Sequence, residues 1–181
     1  MKIILLGYMA SGKSIIGKYI AKKYDLPFID LDIYTEKQEG RSVVDIFKEK
    51  GEIYFRKRES CYLKELINSN NSFVLSLGGG TPCYAGNLEL IKNNKQTVSV
   101  YLRAKVSTLA NRLVKQKGKR PLLANISNTS MVKFVSKHLF ERSVYYNQAT
   151  YTLNVDYKRV NVICKEIYTL INANKPQLLR N

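Results

Sequence analysis

Gly7-Tyr8-Met9-Ala10-Ser11-Gly12-Lys13-Ser14 has the spacing Gly-x-x-x-x-Gly-Lys-Ser, and its flanks decide how it reads. Ile3 to Leu6, just before it, is an apolar run of the kind that a buried parallel strand carries. After it, Ile15, Ile16, Tyr19, Ile20 and Tyr24 recur at helical spacing, with Lys18, Lys22 and Lys23 on the outside. Strand, glycine loop and helix in that order form the setting in which such a loop holds phosphate. Glycines let backbone N–H groups wrap the anion, and the helix N-terminus adds the positive end of its dipole. Lys13 would then reach β- and γ-phosphates, and the Ser14 hydroxyl would ligate magnesium. The competing reading is a tight turn that happens to contain Gly-Lys-Ser, and the flanks argue against it.

With 181 residues, 45% of them hydrophobic, the chain suits one well-packed domain. No run approaches the ~18 apolar residues of a membrane span. Met1-Lys2 ahead of Ile3–Leu6 imitates an export signal, but the apolar stretch is too short and runs straight into the glycine loop. A cytoplasmic location with no membrane partner is the expectation. Cys61, Cys83 and Cys164 are odd in number and lack metal-site spacing, so buried, reduced thiols are expected. His138, the only histidine, lies in a helical pattern between Lys137 and Leu139 and reads as structural. The net charge of +16 attracts anions such as nucleotides and acidic metabolites. Its dispersal over most helices speaks against a specific nucleic-acid partner.

Apolar runs alternate with helical patterns, which predicts a parallel sheet flanked by helices. Strands are expected at Lys2–Leu6, Pro27–Leu31, Ser72–Leu77, Thr97–Leu102 and Tyr151–Val155. Helices are expected at Lys13–Tyr24, Ser42–Lys50, Gly51–Asn68, Tyr84–Asn93, Val106–Lys115, Met131–Tyr146 and Arg159–Asn172. Two stretches break the alternation, Ile33 to Ser60 and Lys115 to Thr129. Long inserts beside a phosphate loop suggest a substrate-binding subdomain and a closing lid. One domain over residues 1–174 is expected, with the insert at about 32–60, the lid at about 113–127 and a frayed tail at 175–181.

Asp30-Leu31-Asp32 is expected to end the second strand, on the side of the sheet where ligands of parallel α/β folds bind. Phosphoryl transfer needs one acid to hold magnesium and another to orient or deprotonate the attacking hydroxyl, and this pair supplies both. Ser76-Leu77-Gly78-Gly79-Gly80 ends the third strand without the aspartate that many phosphate-loop proteins carry there. Asp30 is therefore the expected metal partner, and Ser76 a weaker one. The three glycines read as a backbone nest with freedom in φ for a ligand hydroxyl or carboxylate. Arg56 and Arg142 are candidate carboxylate forks, and Arg120, in the presumed lid, is a candidate to stabilise the migrating phosphoryl group. Among 30 basic residues, spacing alone does not single these three out.

Taken in order, the phosphate loop, Asp30-Leu31-Asp32, Phe55-Arg56 with Glu59, Gly78-Gly79-Gly80, Arg120-Pro121-Leu122-Leu123, and Arg142 followed by Tyr146 resemble shikimate kinase over nearly the whole chain. The resemblance implies an α/β three-layer sandwich with a five-stranded parallel sheet, a substrate-binding insert and a mobile lid. It implies transfer of the ATP γ-phosphoryl to the 3-hydroxyl of shikimate with Mg2+ as cofactor, in aromatic amino acid biosynthesis, and a monomer is expected. Catalysis would fall to Lys13, Asp32 and Arg120. ATP would meet Ala10, Ser11, Gly12, Lys13, Ser14 and Ile15, together with Arg112, Arg120 and Arg159. Shikimate would meet Asp32, Arg56, Gly78, Gly79, Gly80 and Arg142, and the metal Ser14 and Asp30. Three positions depart from the family's habit: Ala10 replaces a common glycine, Ile15 a frequent threonine and Val144 a common proline. Alanine fits the loop provided that position does not require positive φ.

Two alternatives compete. One is another small-molecule or nucleotide kinase of gluconate kinase type. The other is a nucleic-acid-binding ATPase, suggested by the charge and the 13 tyrosines but lacking a separate basic module.

Overall fold

Strand β1 (Lys2–Leu6) is buried at every residue because it is the middle strand of the sheet and meets a neighbour on each side. The computed structural model describes residues 1–116 and 126–173. β2 (Phe28–Asp30), β3 (Phe73–Ser76), β4 (Thr97–Arg103) and β5 (Tyr151–Asn154) complete a wholly parallel five-stranded sheet of order β2-β3-β1-β4-β5. The chain leaves β1 in one direction to reach β2, and the three later connections run the other way. Right-handed crossovers therefore put α1 (Lys13–Tyr24) on the face opposite the helices that follow β2, β3 and β4. α7 (Val160–Ala173) packs beside α1. On the other face lie α3 (Val43–Asn68), α4 (Asn87–Asn93), α5 (Val106–Lys115) and α6 (Met131–Tyr146).

All five expected strands are present within a residue or two, and α1, α5 and α6 match their expected bounds. Three expectations are corrected. β2 ends at Asp30, and Leu31–Glu39 is a helix, α2, which no apolar periodicity had marked. Asp30 is its N-cap and accepts a hydrogen bond from the Asp32 N–H at 3.3 Å, so Asp32 projects from a first helical turn instead of a strand end. The expected helix from Tyr84 begins only at Asn87, because Ala85 and Gly86 take φ of 44° and 75° and a 3-10 turn occupies Thr81–Cys83. The thiols are not uniformly buried: Cys164 is, Cys83 is half-buried and Cys61 is exposed. The presumed lid centred on Arg120, and the tail beyond Ala173, lie outside the described residues.

The helices expected on either side of Gly51 run on as α3, with a kink at that residue, where φ is 78° and ψ 172°. That conformation is open essentially to glycine alone. The segment after the kink carries Arg56 and Glu59 and also packs on α2 through Tyr54, Arg58 and Tyr62. Glu39 of α2 clamps the two helices by accepting hydrogen bonds from Arg58 Nε (2.6 Å), Tyr62 OH (2.6 Å) and Tyr54 OH (2.7 Å). Nothing lies within 4 Å of a Cβ built at Gly51, so Gly51→Ala meets a conformational cost and no clash. The expected outcome is a loss of about 2 kcal/mol and a Tm lower by roughly 4–8 °C, read by thermal denaturation. An unchanged Tm would show that the kink does not need glycine.

Candidate active site

The register of the sheet assembles the site. Leu5 of β1 lies opposite Ser76 of β3, and the Leu77 N–H donates to the Leu5 carbonyl at 3.1 Å just past the strand end. The phosphate loop and the glycine turn therefore leave adjacent strands side by side, where the strand order reverses. Above them a cavity of about 520 Å³ is lined by Met9–Ile16, Asp30, Asp32, Ser76–Gly79, Arg112, Gln116, Val155, Lys158, Val160 and Ile163.

The loop's own groups hold its shape. Gly12 takes φ 102° at the start of α1. Buried Lys13 donates to the Gly7 and Tyr8 carbonyls at 2.8 and 3.0 Å, which keeps its ammonium inside the loop. Ser14 Oγ donates to Asp30 Oδ2 at 2.8 Å, so the two expected metal partners are already neighbours. Among the described residues buried Ser11 Oγ has no hydrogen-bond partner, and Ser11 is one of the residues that line the cavity. Arg112 of α5 donates to the Ala10 carbonyl at 3.1 Å. Ala10 itself has φ 63°, so this position does require the conformation that its alanine disfavours.

Gly78, Gly79 and Gly80 serve a different purpose from the φ freedom expected of them, since none has positive φ. Their lack of side chains is what matters. A Cβ on Gly78 would stand 2.8 Å from Glu59 Oε1 and 3.0 Å from Asp32 Oδ1. A Cβ on Gly80 would lie 2.6 Å from Arg56 Nη2, and one on Gly79 would press on Arg142 Nη1 at 3.4 Å. The bare strip thus brings two carboxylates and two guanidinium groups against one stretch of backbone.

Arg56 and Arg142 share a second cavity of about 340 Å³ with Glu52, Ile53, Gly80, Cys83 and Tyr84. Glu59, fully buried, holds Arg56 through an ion pair of 2.8 Å and accepts from Thr81 Oγ1 at 2.6 Å. Arg56 also pairs with Glu52 at 3.4 Å, one helical turn back. Asp32 has no such tie. Burial, then the nearby Glu59 and Asp30 carboxylates, outweigh Lys13 and Arg56 and raise its pKa from 3.8 to about 6. A carboxylate at that value is ionised near neutral pH yet still basic.

Of the residues singled out in the sequence, Ala10 to Ile15, Asp30, Asp32, Ser76, Gly78, Gly79 and Arg112 line the first cavity, and Arg56, Gly80 and Arg142 the second. Arg159 stands exposed, and its neighbours Lys158 and Val160 line the cavity in its place. Arg120 is outside the described residues. Glu52, Cys83 and Tyr84 escaped the sequence reading. Glu52 was findable at four residues before Arg56, whereas no local pattern marks Cys83 or Tyr84.

Two stability measurements check this geometry. Ala10→Gly relieves the positive φ and should raise stability by about 1 kcal/mol; an unchanged or lower Tm would contradict the strain. A raised folded-state pKa means that ionised Asp32 destabilises the fold, with the cost absent below pH 3.8 and complete above about 6. Asp32→Asn should therefore raise Tm at pH 8, by on the order of 2 kcal/mol of stability, and much less at pH 4. Equal shifts at the two pH values would remove the ionised carboxylate as the cause.

A family model for shikimate kinase matches residues 9–172. A shikimate kinase from Flavobacterium psychrophilum is 49% identical over 170 residues, covering 94% of this chain and 98% of the relative. The crystal structure of shikimate kinase from Bacteroides thetaiotaomicron superposes with a TM-score of 0.87 at 33% identity, covering 95% of this chain and 98% of that one. Shikimate kinase from Acinetobacter baumannii in complex with shikimate superposes with a TM-score of 0.86 at 30% identity, covering 96% and 94%. With the phosphate loop and the paired arginines on adjoining cavities along the glycine strip, the chain belongs to the shikimate kinase family.

Proposed function

We propose that this chain transfers the γ-phosphoryl group of ATP to the 3-hydroxyl of shikimate, giving 3-phosphoshikimate and ADP, with Mg2+ as cofactor. The observation that carries the reading is the pair of guanidinium groups, Arg56 and Arg142, that share one cavity across the glycine strip from Asp32 and the phosphate loop. A planar fork grips a carboxylate through two parallel hydrogen bonds, so two forks suit a small carboxylic acid better than a neutral sugar. The complex of the Acinetobacter baumannii relative with shikimate supports this choice of acid.

In this reading Arg56, braced by buried Glu59, and Arg142 pin the carboxylate, and the opposite side of the ring presents its hydroxyl to Asp32. Asp32 takes the proton as the hydroxyl oxygen attacks phosphorus. Lys13 and the loop N–H groups spread the charge that develops on the phosphoryl oxygens, so catalysis is chiefly positioning and neutralisation. The oxygen donors Ser14 and Asp30 fit a hard cation that keeps several waters and shares phosphate oxygens. When bound, Mg2+ would supply charge neutralisation for the transferred group. Among the described residues no helix is long and apolar enough to cross a membrane, and a soluble cytoplasmic monomer is part of the proposal.

ADP release measured with shikimate, gluconate and nucleoside monophosphates in parallel tests the reading. Turnover with shikimate alone is expected, with kcat/KM rising through an apparent pKa near 6 as Asp32 ionises. Asp32→Asn should lower kcat by roughly 10²–10⁴, and Arg142→Ala should act mainly on the KM for shikimate. Preference for gluconate or a nucleotide would overturn the proposal.

A further inference from the structure

The second residue of the phosphate loop is a tyrosine, and it is almost wholly buried, with 1% of its surface exposed. Its hydroxyl shares a hydrogen bond of 3.1 Å with Nδ1 of His138, the chain's only histidine. Burial pushes the phenol up to about 12 and lowers the imidazole from its ordinary value, which favours a neutral pair whose two polar atoms are joined by this bond. Phe134, one turn earlier on α6, packs edge-on against the imidazole at 4.2 Å between centroids and fixes the ring.

One turn later on α6 stands Arg142, whose guanidinium lies over the Tyr8 ring at 5.6 Å from its centroid. Another turn on, Tyr146 OH donates to the Gly79 carbonyl. Phe134, His138, Arg142 and Tyr146 are spaced at four residues and therefore line one face of the helix. That face meets the phosphate loop through Tyr8 and the glycine turn through Gly79. Nothing in the transfer chemistry needs this part-buried tyrosine–histidine hydrogen bond, and an apolar pair would fill the same space with fewer polar atoms to satisfy.

We propose that Tyr8 and His138 are positioning residues: their hydrogen bond fixes the tyrosine ring on which Arg142 rests, and so ties the carboxylate-gripping guanidinium to the phosphate loop. Tyr146 also bonds Arg142, and without the Tyr8 ring beside it this long side chain would have more rotamers open, which the grip would have to order at each binding event. The fixed ring supplies a face that favours one placement. The inference rests on the reading of Arg142 as a carboxylate ligand.

Steady-state kinetics with shikimate on the full chain tests it, using wild type, Tyr8→Phe, His138→Leu, His138→Asn and the double variant Tyr8→Phe/His138→Leu. Removing either side of the hydrogen bond should raise the KM for shikimate by about three- to tenfold, in line with the worth of one such bond, while kcat falls by less. The double variant should be no worse than either single one, because both remove the same interaction. His138→Asn, whose Oδ1 can stand where Nδ1 does, should stay near wild type. A lowered Tm with KM within twofold of wild type in both single variants would mean a merely structural pair and overturns the inference. So would KM effects that multiply in the double variant. Wild type that does not phosphorylate shikimate overturns the underlying reading, and this inference with it; wild-type turnover beside unmoved variants overturns this inference alone.

Discussion

The register between β1 and β3 is the constraint on which the rest of the site depends. With Leu5 opposite Ser76, the two loops that leave these strands run side by side. β1 is buried on both faces, so a slip of one residue would expose none of Ile3–Leu6 but would exchange which of them meet the helices on each side and move the two loops out of line. Once the loops are neighbours, the second must carry no side chains, because the space beside it already holds Glu59, Asp32, Arg56 and Arg142. The glycines are thus a consequence of how many charged groups converge there. Their flexibility is incidental.

That convergence gives two nearby carboxylates opposite characters. Glu59 is buried completely, and Arg56 and the Thr81 hydroxyl occupy its two oxygens, so it is committed to bracing. Asp32 sits beside it with no ion-pair partner among the described residues, and burial together with the neighbouring negative charge lifts its pKa. One acid is spent on holding an arginine still, and in doing so makes the other more basic. Environment separates the two roles, as it does wherever titratable pairs divide the labour of acid and base.

How far the sequence could be read follows the range of the forces involved. β1, α1, α5 and α6 were legible because a buried strand and an amphipathic helix write their period into consecutive residues. The phosphate loop was legible because its spacing is itself the mechanism. α2 was not, because its start depends on whether Asp30 ends a strand or caps a helix, and both roles suit an aspartate. The kink at Gly51 could have been a helix boundary equally well. Arg56 and Arg142 could be ranked above the other basic residues only through family resemblance, since their meeting place is made by α3, α6 and the glycine strip together. Tyr8 and His138 lie 130 positions apart, and no local pattern announces such a pair.

The phosphate loop's own hydrogen bonds hold it in shape. Lys13 is bonded to two loop carbonyls, Arg112 to the Ala10 carbonyl and Ser14 to Asp30. These are groups that an incoming triphosphate and its cation would engage, so binding exchanges hydrogen bonds and adds few new ones. Affinity for nucleotide is then lower than a count of phosphate contacts would suggest, while little ordering entropy remains to be lost. Ala10 fits this scheme. A residue at φ 63° that is not glycine is strained, and it persists only where its surroundings over-determine it, as the Arg112 hydrogen bond to its carbonyl and the Gly12 turn do here. Alanine also has fewer unfolded conformations to lose than glycine, which offsets part of the strain. What the loop gives up in local ease it recovers as a shape that is already the one phosphate requires.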